Sequence, residues 1–212
     1  MPGVDGATGT AGRTPAPAGE GHFRRVYACF MLTRAEIEHA QERAATLLAE
    51  AGIVLTPEER ERIEIADFGL SQLERTGLEV VTYVNTERTC AKELVMFPGQ
   101  TCPEHLHPPF DGTPGKEETF RCRQGRVYLY TDGEPAAEPA CRPPRAELGV
   151  YTVWHEIVLG PGEQHTIPPQ TRHWFQAGPE GAIVSEFSTQ SRDELDVFTD
   201  PEIGRATVVA DG

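Results

Sequence analysis

Lysine is almost missing from this chain. Its 212 residues hold two, Lys92 and Lys116, and arginine carries nearly all the other positive charge. Cysteine occurs five times, as Cys29, Cys90, Cys102, Cys122 and Cys141, but never in a close pair of the CxxC kind. A zinc clip needs such close ligands, so one built on Cys102 and Cys122 is disfavoured. No apolar run approaches the length of a transmembrane helix. The first residues show no basic-then-apolar leader pattern, and no solenoid repeat is visible. These absences point to a reducing cytoplasm, with the cysteines acting as small buried apolar groups. The net charge of −14 excludes nucleic acid and anionic membranes as natural partners and is silent about a small neutral ligand.

What is present is a turn-rich globular composition, with 21 Gly and 18 Pro. Residues 1–21 have almost nothing to bury and read as a disordered tail. Residues 22–77 read as a helical extension. In it, Thr33 and Glu36 have capping-box spacing ahead of Ile37, Ala40, Ala44, Leu47 and Leu48, and Thr56, Pro57 and Glu59 repeat the start signal. A third short helix is expected over "LSQLERTG". From Leu78 to the end, short strand-like runs separated by Gly, Pro and Asp predict a β-barrel with the helices packed outside it, followed by a short helix and a covering tail.

Two windows carry the chemistry. In the first, Gly99 precedes His105 and His107, then Glu118 and Gly125; in the second, Gly162 and Pro168 precede His173. Strand alternation puts His105 and His107 on one face. A hairpin turn at Gln124–Gly125 would put Glu118, Phe120 and Cys122 on a shared, largely apolar face, where a buried carboxylate needs a partner such as a metal. A second hairpin centred on Pro179–Glu180 would set His173 directly opposite Glu186. Three imidazoles and a carboxylate suit Mn²⁺, Fe²⁺, Co²⁺, Ni²⁺ or Zn²⁺, and are too rich in nitrogen for Ca²⁺ or Mg²⁺. His22, His39, His155 and His165 lack such a context, although His165 falls near the second window.

These spacings resemble the two motifs of the cupin superfamily, a mainly β jelly-roll or double-stranded β-barrel. The gap before Glu118 is longer than usual, Gln170 stands where glycine is typical, and Ala177 stands where asparagine is often found. The phrases "AKELVMFPGQTCPEHLHP", "GKEETFRCRQGRVYLYTDGEP", "YTVWHEIVLGPGEQHTIPP" and "HWFQAGPEGAIVSEFS" resemble the D-lyxose isomerase family more closely. That resemblance implies a Mn²⁺-dependent, homodimeric enzyme that interconverts D-lyxose and D-xylulose and also acts on D-mannose and D-fructose. The metal set would be His105, His107, Glu118 and His173.

Such a reaction needs a general base near C1 and C2 and a group to hold developing charge on oxygen. Glu186 is the candidate base and Lys116 the candidate cation, weighed against an ordinary solvated lysine in a Gly/Pro loop. Glu117 should face outward. Tyr128 and Tyr130 are expected under the N-terminal helices, and Trp174 and Phe175 in the core rather than against a sugar ring. Asp193, Asp196 and Asp200 either close over the site, sit at a subunit contact or, as the plainer reading, form a solvated acidic surface. A mononuclear-iron cupin dioxygenase and a non-catalytic sugar-binding cupin are the rival classes.

Overall fold

The computed structural model describes residues 31–207 and 209–210; the expected tail at 1–21, His22 and Cys29 lie outside them. In chain order the elements are β1 (Leu32–Thr33), α1 (Arg34–Glu50), α2 (Pro57–Glu61), β2 (Glu64–Ala66), β3 (Leu78–Asn85), β4 (Cys90–Met96), β5 (Thr101–Leu106), β6 (Glu118–Thr131), β7 (His155–Leu159), β8 (Gln164–Ile167), β9 (His173–Ser188), β10 (Val197–Phe198) and β11 (Val209–Ala210). Both capping boxes form: Thr33 with Glu36, and Thr56 with Glu59.

The second expected helix stops at Glu61, because the Ile63–Glu64–Ile65 alternation is taken up by β2, which pairs with β3. No helix forms over "LSQLERTG". Its turn is closed by Thr76 N–H donating to Gln72 O, and Thr76 then bridges to Thr101.

The sheet is built from long antiparallel stretches. β9 lies between β6 on one side and β4 with β5 on the other, while β7 and β8 run consecutively along β6. This overturns both expected hairpins. Residues 118–131 and 173–188 are each one continuous strand, and the glycine signals mark irregularities in mid-strand. Gly125 (φ 70°) and Gly181 (φ 79°) adopt the left-handed conformation there. A Cβ added to Gly125 would come 2.1 Å from the Gly181 carbonyl oxygen, so the two strands approach too closely for any side chain. The same left-handed glycine that would close a hairpin is used here to bend paired strands.

The bend folds the sheet on itself. β2, β3, β4 and β8 meet the halves of β9 and β6 that hold Glu186 and Glu118. β10, β5 and β7 meet the halves that hold His173 and Thr131. Leu78, Val80, Leu94 and Val184 from the first half pack with Leu129, Leu159, Phe175 and Ala177 from the second. The mainly β architecture with an outer helix is therefore as expected. α1 covers the outer face of the first half, where Ala40, Ala44 and Leu48 meet Val81, Val95 and Ile183; the alanines let the helix backbone approach the sheet closely.

Tyr130 does not lie under that helix. It stacks on Trp174 at 3.9 Å with 8° between the rings, in a separate cluster with Tyr151 and Val153 that Tyr128 joins. Trp174 donates to Val153 O and is fully buried in this outer layer, which fits the core reading.

Candidate active site

The sheet register places His105 directly across from His173, since β5 and β9 pair there. His107 follows one residue beyond the end of β5. The three rings gather with centroids 4.3 Å (His105–His173), 5.0 Å (His105–His107) and 5.3 Å (His107–His173) apart. Glu118 opens β6 on the other half of the bent sheet, yet its Oε1 lies 3.1 Å from His107 Nε2 and 2.9 Å from His173 Nε2. The fold, rather than chain proximity, closes the cluster.

Each imidazole has its Nδ1 engaged. His105 Nδ1 faces Pro103 O at 2.8 Å, His173 Nδ1 faces Thr171 O at 2.9 Å, and His107 Nδ1 faces Asp196 Oδ1 at 2.6 Å. Ring N–H donation to these oxygens turns all three Nε2 atoms inward, those of His105 and His173 as acceptors. One nitrogen per ring within 4.8 Å of the others is a geometry able to hold a metal ion. His173 Nε2 is buried and makes no hydrogen bond, because its approach to Glu118 has the distance but not the direction. An orphaned buried acceptor aimed at two other imidazoles and a carboxylate is what a divalent transition metal would satisfy, and the donor set fits one. Burial and the neighbouring His173 and His107 hold His105 well below the usual imidazole range, keeping it neutral as a ligand must be. Burial would lower His107 as well, but the Glu118 carboxylate, with help from Asp196, outweighs it and pushes His107 up to about 9, so without an ion its Nε2–H donates to Glu118 Oε1 and an ion would displace that proton.

Lys116 is buried beside this cluster, its Nζ 2.7 Å from Glu118 Oε2 and 2.9 Å from Glu186 Oε1. Burial alone would strip its proton; Glu118 and Glu186 outweigh burial and hold it well above the usual lysine range, so it stays an ammonium. Glu118 is held well below the usual carboxylate range, since Lys116 and His107 overcome its burial. Glu186 faces inward, but not through the expected pairing: it lies across from Phe120 and Lys92, and His173 across from His105 and Thr131. His173 and Glu186 are linked through Glu118 and Lys116. Glu117 is exposed, as alternation requires.

Lys92 and Arg205 escape sequence reading, and for Asp193 and Asp196 the structure decides between closing over the site and a solvated surface. Lys92 is buried, 2.8 Å from Ser191 Oγ and 2.6 Å from Asp193 Oδ2. Asp193, expected at the surface, is held far below the usual carboxylate range by Lys92 and Lys116 despite its burial. Asp196 contacts His107, and Asp200 is buried against Arg145, so the acidic tail is fastened down over the site instead of solvated. Arg205 reaches the same cavity and pairs with Glu64 and Asp193. The scarcity of lysine is the available signal for Lys92; nothing local marks Arg205.

The cavity holds some 410 Å³ of space not filled by atoms, counting the part that opens to solvent. Leu78, Val80, Leu94 and Phe120 give it an apolar wall beside its histidines and charged groups. A mouth lined by Pro108, Phe110, Gly115, Arg192 and Leu195 shares His107, Lys116 and Asp196 with it. The Arg192 guanidinium sits 4.1 Å over the Phe110 ring and ties the lengthened loop to the tail. His155 and His165 are half-buried on β7 and β8, outside the three-histidine group.

The curled antiparallel sheet is a fold shared with solved sugar isomerases. It is similar to the L-ribose isomerase of Cellulomonas parahominis, at a TM-score of 0.72 and 19% identity over 85% of this chain and 99% of that one. The L-ribose isomerase of Acinetobacter sp. DL28 gives 0.71 and 15% identity over 85% and 99%. Likeness at such identities speaks for the fold alone. No protein-family profile matches the chain. Sequence relatives are much nearer: a D-lyxose/D-mannose isomerase of Thermosediminibacter oceani is 61% identical over 85% of this chain and 100% of its own length. D-lyxose ketol-isomerases of Cohnella laeviribosi and a Thermofilum species are 62% and 60% identical over 82% of this chain and 96% and 97% of theirs. The chain belongs to the D-lyxose isomerase family of sugar ketol-isomerases.

Proposed function

We propose that this enzyme interconverts D-lyxose and D-xylulose, and D-mannose and D-fructose, using a divalent metal, with Mn²⁺ the expected ion. The observation that carries the reading is identity of 60–62% to named D-lyxose isomerases across more than four fifths of the chain. Family membership favours an isomerase over the dioxygenase and the binding module. His105, His107, Glu118 and His173 would hold the ion. Such an ion supplies Lewis-acid polarisation of neighbouring sugar oxygens.

The chain's own groups account for the proton movements. Lys116 and Ser188 both donate to Glu186 Oε1, which leaves Oε2 to accept a proton. In this reading Oε2 takes the hydrogen from C2 of the aldose as a proton and returns it to C1, through a cis-enediol. The hydroxyl proton moves in the same sense, from O2 to O1, which balances the isomerisation. The Lys116 ammonium donates a hydrogen bond to whichever oxygen gains charge. The apolar wall keeps bulk water from the enediol face.

The test is anaerobic incubation of metal-stripped protein, refilled with Mn²⁺, with D-lyxose and D-mannose in separate tubes. Ketose from either sugar supports the reading; ketose from neither removes it. Deuterium from D₂O entering C1 of the ketose supports the enediol, whereas unlabelled product favours a hydride shift. A homodimer in the cytoplasm completes the proposal. The unpaired, buried Cys90, Cys102, Cys122 and Cys141 fit a reducing compartment. Light scattering at the 23.3 kDa of a single chain would count against the dimer.

A further inference from the structure

Two of the three imidazoles are oriented from within their own strand ends: His105 by the carbonyl of Pro103 and His173 by that of Thr171, each two residues back. His107 differs. Its Nδ1 partner, Asp196, lies 89 residues away at the end of the short 3₁₀ turn Asp193–Leu195 in the C-terminal segment. The same segment is tied to the pocket at several other points. Ser191 and Asp193 receive Lys92; Phe198 pairs with His105 through β10; and Thr199 accepts Arg172 and donates to the buried Glu104. Gln190, Arg192 and Leu195 line the mouth.

We propose that Asp196 is a positioning residue that couples metal loading to docking of segment 190–200 over the mouth of the pocket. This rests on the reading of the three histidines as metal ligands. A carboxylate on Nδ1–H fixes the tautomer and raises the basicity of Nε2, the nitrogen that must bind the ion. Asp196 provides this only when the segment is docked, because no residue near His107 in sequence takes its place among the described residues. The ion therefore binds the docked form more tightly, and by reciprocity a bound ion holds the segment down. His105 and His173 need no such help, so a half-formed site persists when the segment lifts. A sugar can then exchange without complete loss of the ion's ligands.

The experiment compares the full-length chain with D196A and D196N. Mn²⁺ affinity is measured by chelator competition, and amide hydrogen exchange over 190–200 is followed with and without Mn²⁺. Expected results are an affinity loss of roughly 10–100-fold in D196A and recovery of most of it in D196N, whose side-chain oxygen still accepts the Nδ1–H. In the wild-type chain, Mn²⁺ should slow exchange across 190–200; in D196A at saturating Mn²⁺ that slowing should shrink. With Co²⁺ as the ion, D196A should also shift the visible absorption band, which simple loss of stability would not do. Wild-type affinity in D196A, or exchange over 190–200 that ignores Mn²⁺ in the wild-type chain, overturns the coupling while leaving the metal site standing. Failure of the wild-type chain itself to take up Mn²⁺ or Co²⁺ overturns both.

Discussion

Lys116 and Glu186 stand 70 residues apart in the chain and meet at 2.9 Å, both buried, where the two halves of the bent sheet close. The same ammonium touches Glu118 at 2.7 Å, so one cation is shared by two interior carboxylates. An arrangement of this kind costs stability unless every charge is matched, and removing one member leaves the others exposed to that cost.

Replacing Lys116 with Met should therefore act twice. Stability of the metal-free protein should fall by roughly 3–5 kcal/mol, the usual consequence of stranding a buried partner. Turnover should fall by about 10²–10³-fold, as for loss of one donor to a developing oxyanion. Thermal melts and kcat on D-lyxose read the two effects separately. A variant with wild-type kcat would make Lys116 structural only.

Glu186→Gln keeps the shape and the contacts on Oε1 while removing the basic oxygen. Turnover should drop about 10²–10⁴-fold, with bound Mn²⁺ unchanged after gel filtration. Retained turnover would dismiss Glu186 as the base and shift attention to other carboxylates of the pocket.

The histidines give a contrast within one chain. His173→Ala removes a buried, unsatisfied nitrogen from the centre of the cluster and should leave the protein unable to retain metal through desalting. His165→Ala, which removes a half-buried ring opposite Phe120 on β8, should leave metal content unchanged. Elemental analysis of the two proteins after the same wash decides it; equal content in both would sink the assignment.

Much of this pocket was legible because strand alternation is local. His105 and His107 facing the same way, two positions apart, and Glu118 facing away from Glu117, follow from the pleat alone. The paths of β6 and β9 were not. Gly125 and Gly181 give the same left-handed signal in a hairpin as in a bent, continuous strand, and only the partner strand across the sheet decides which is built. Glu186 thus reached the pocket by a pairing with Lys92 and Phe120 that the hairpin reading did not contain. Asp193 and Asp196 look like surface residues in "SRDELDVF" because their partners, Lys92 and His107, lie about a hundred residues earlier.

Glu79 carries a prediction about stability away from the site. It sits under α1 with no exposed surface. One oxygen lies 3.0 Å from Gln100 Nε2 and the other has no partner among the described residues. Burial pushes its carboxyl from the ordinary 4.5 up to about 8, against smaller opposing effects of Gln100 and Arg43. Between those two values the native chain binds a proton that the unfolded chain has released, so folding loses free energy as pH rises. The contribution is fully present below about 4.5, declines through neutrality, and levels off above about 8, where the native carboxylate ionises too. Glu79→Gln substitutes a neutral amide for the neutral acid and removes this slope. Urea midpoints measured from pH 5 to 8 should show the variant gaining on the wild-type protein as pH rises. All other titrating groups act equally on both curves, so parallel curves would mean that Glu79 is ionised in the native state throughout.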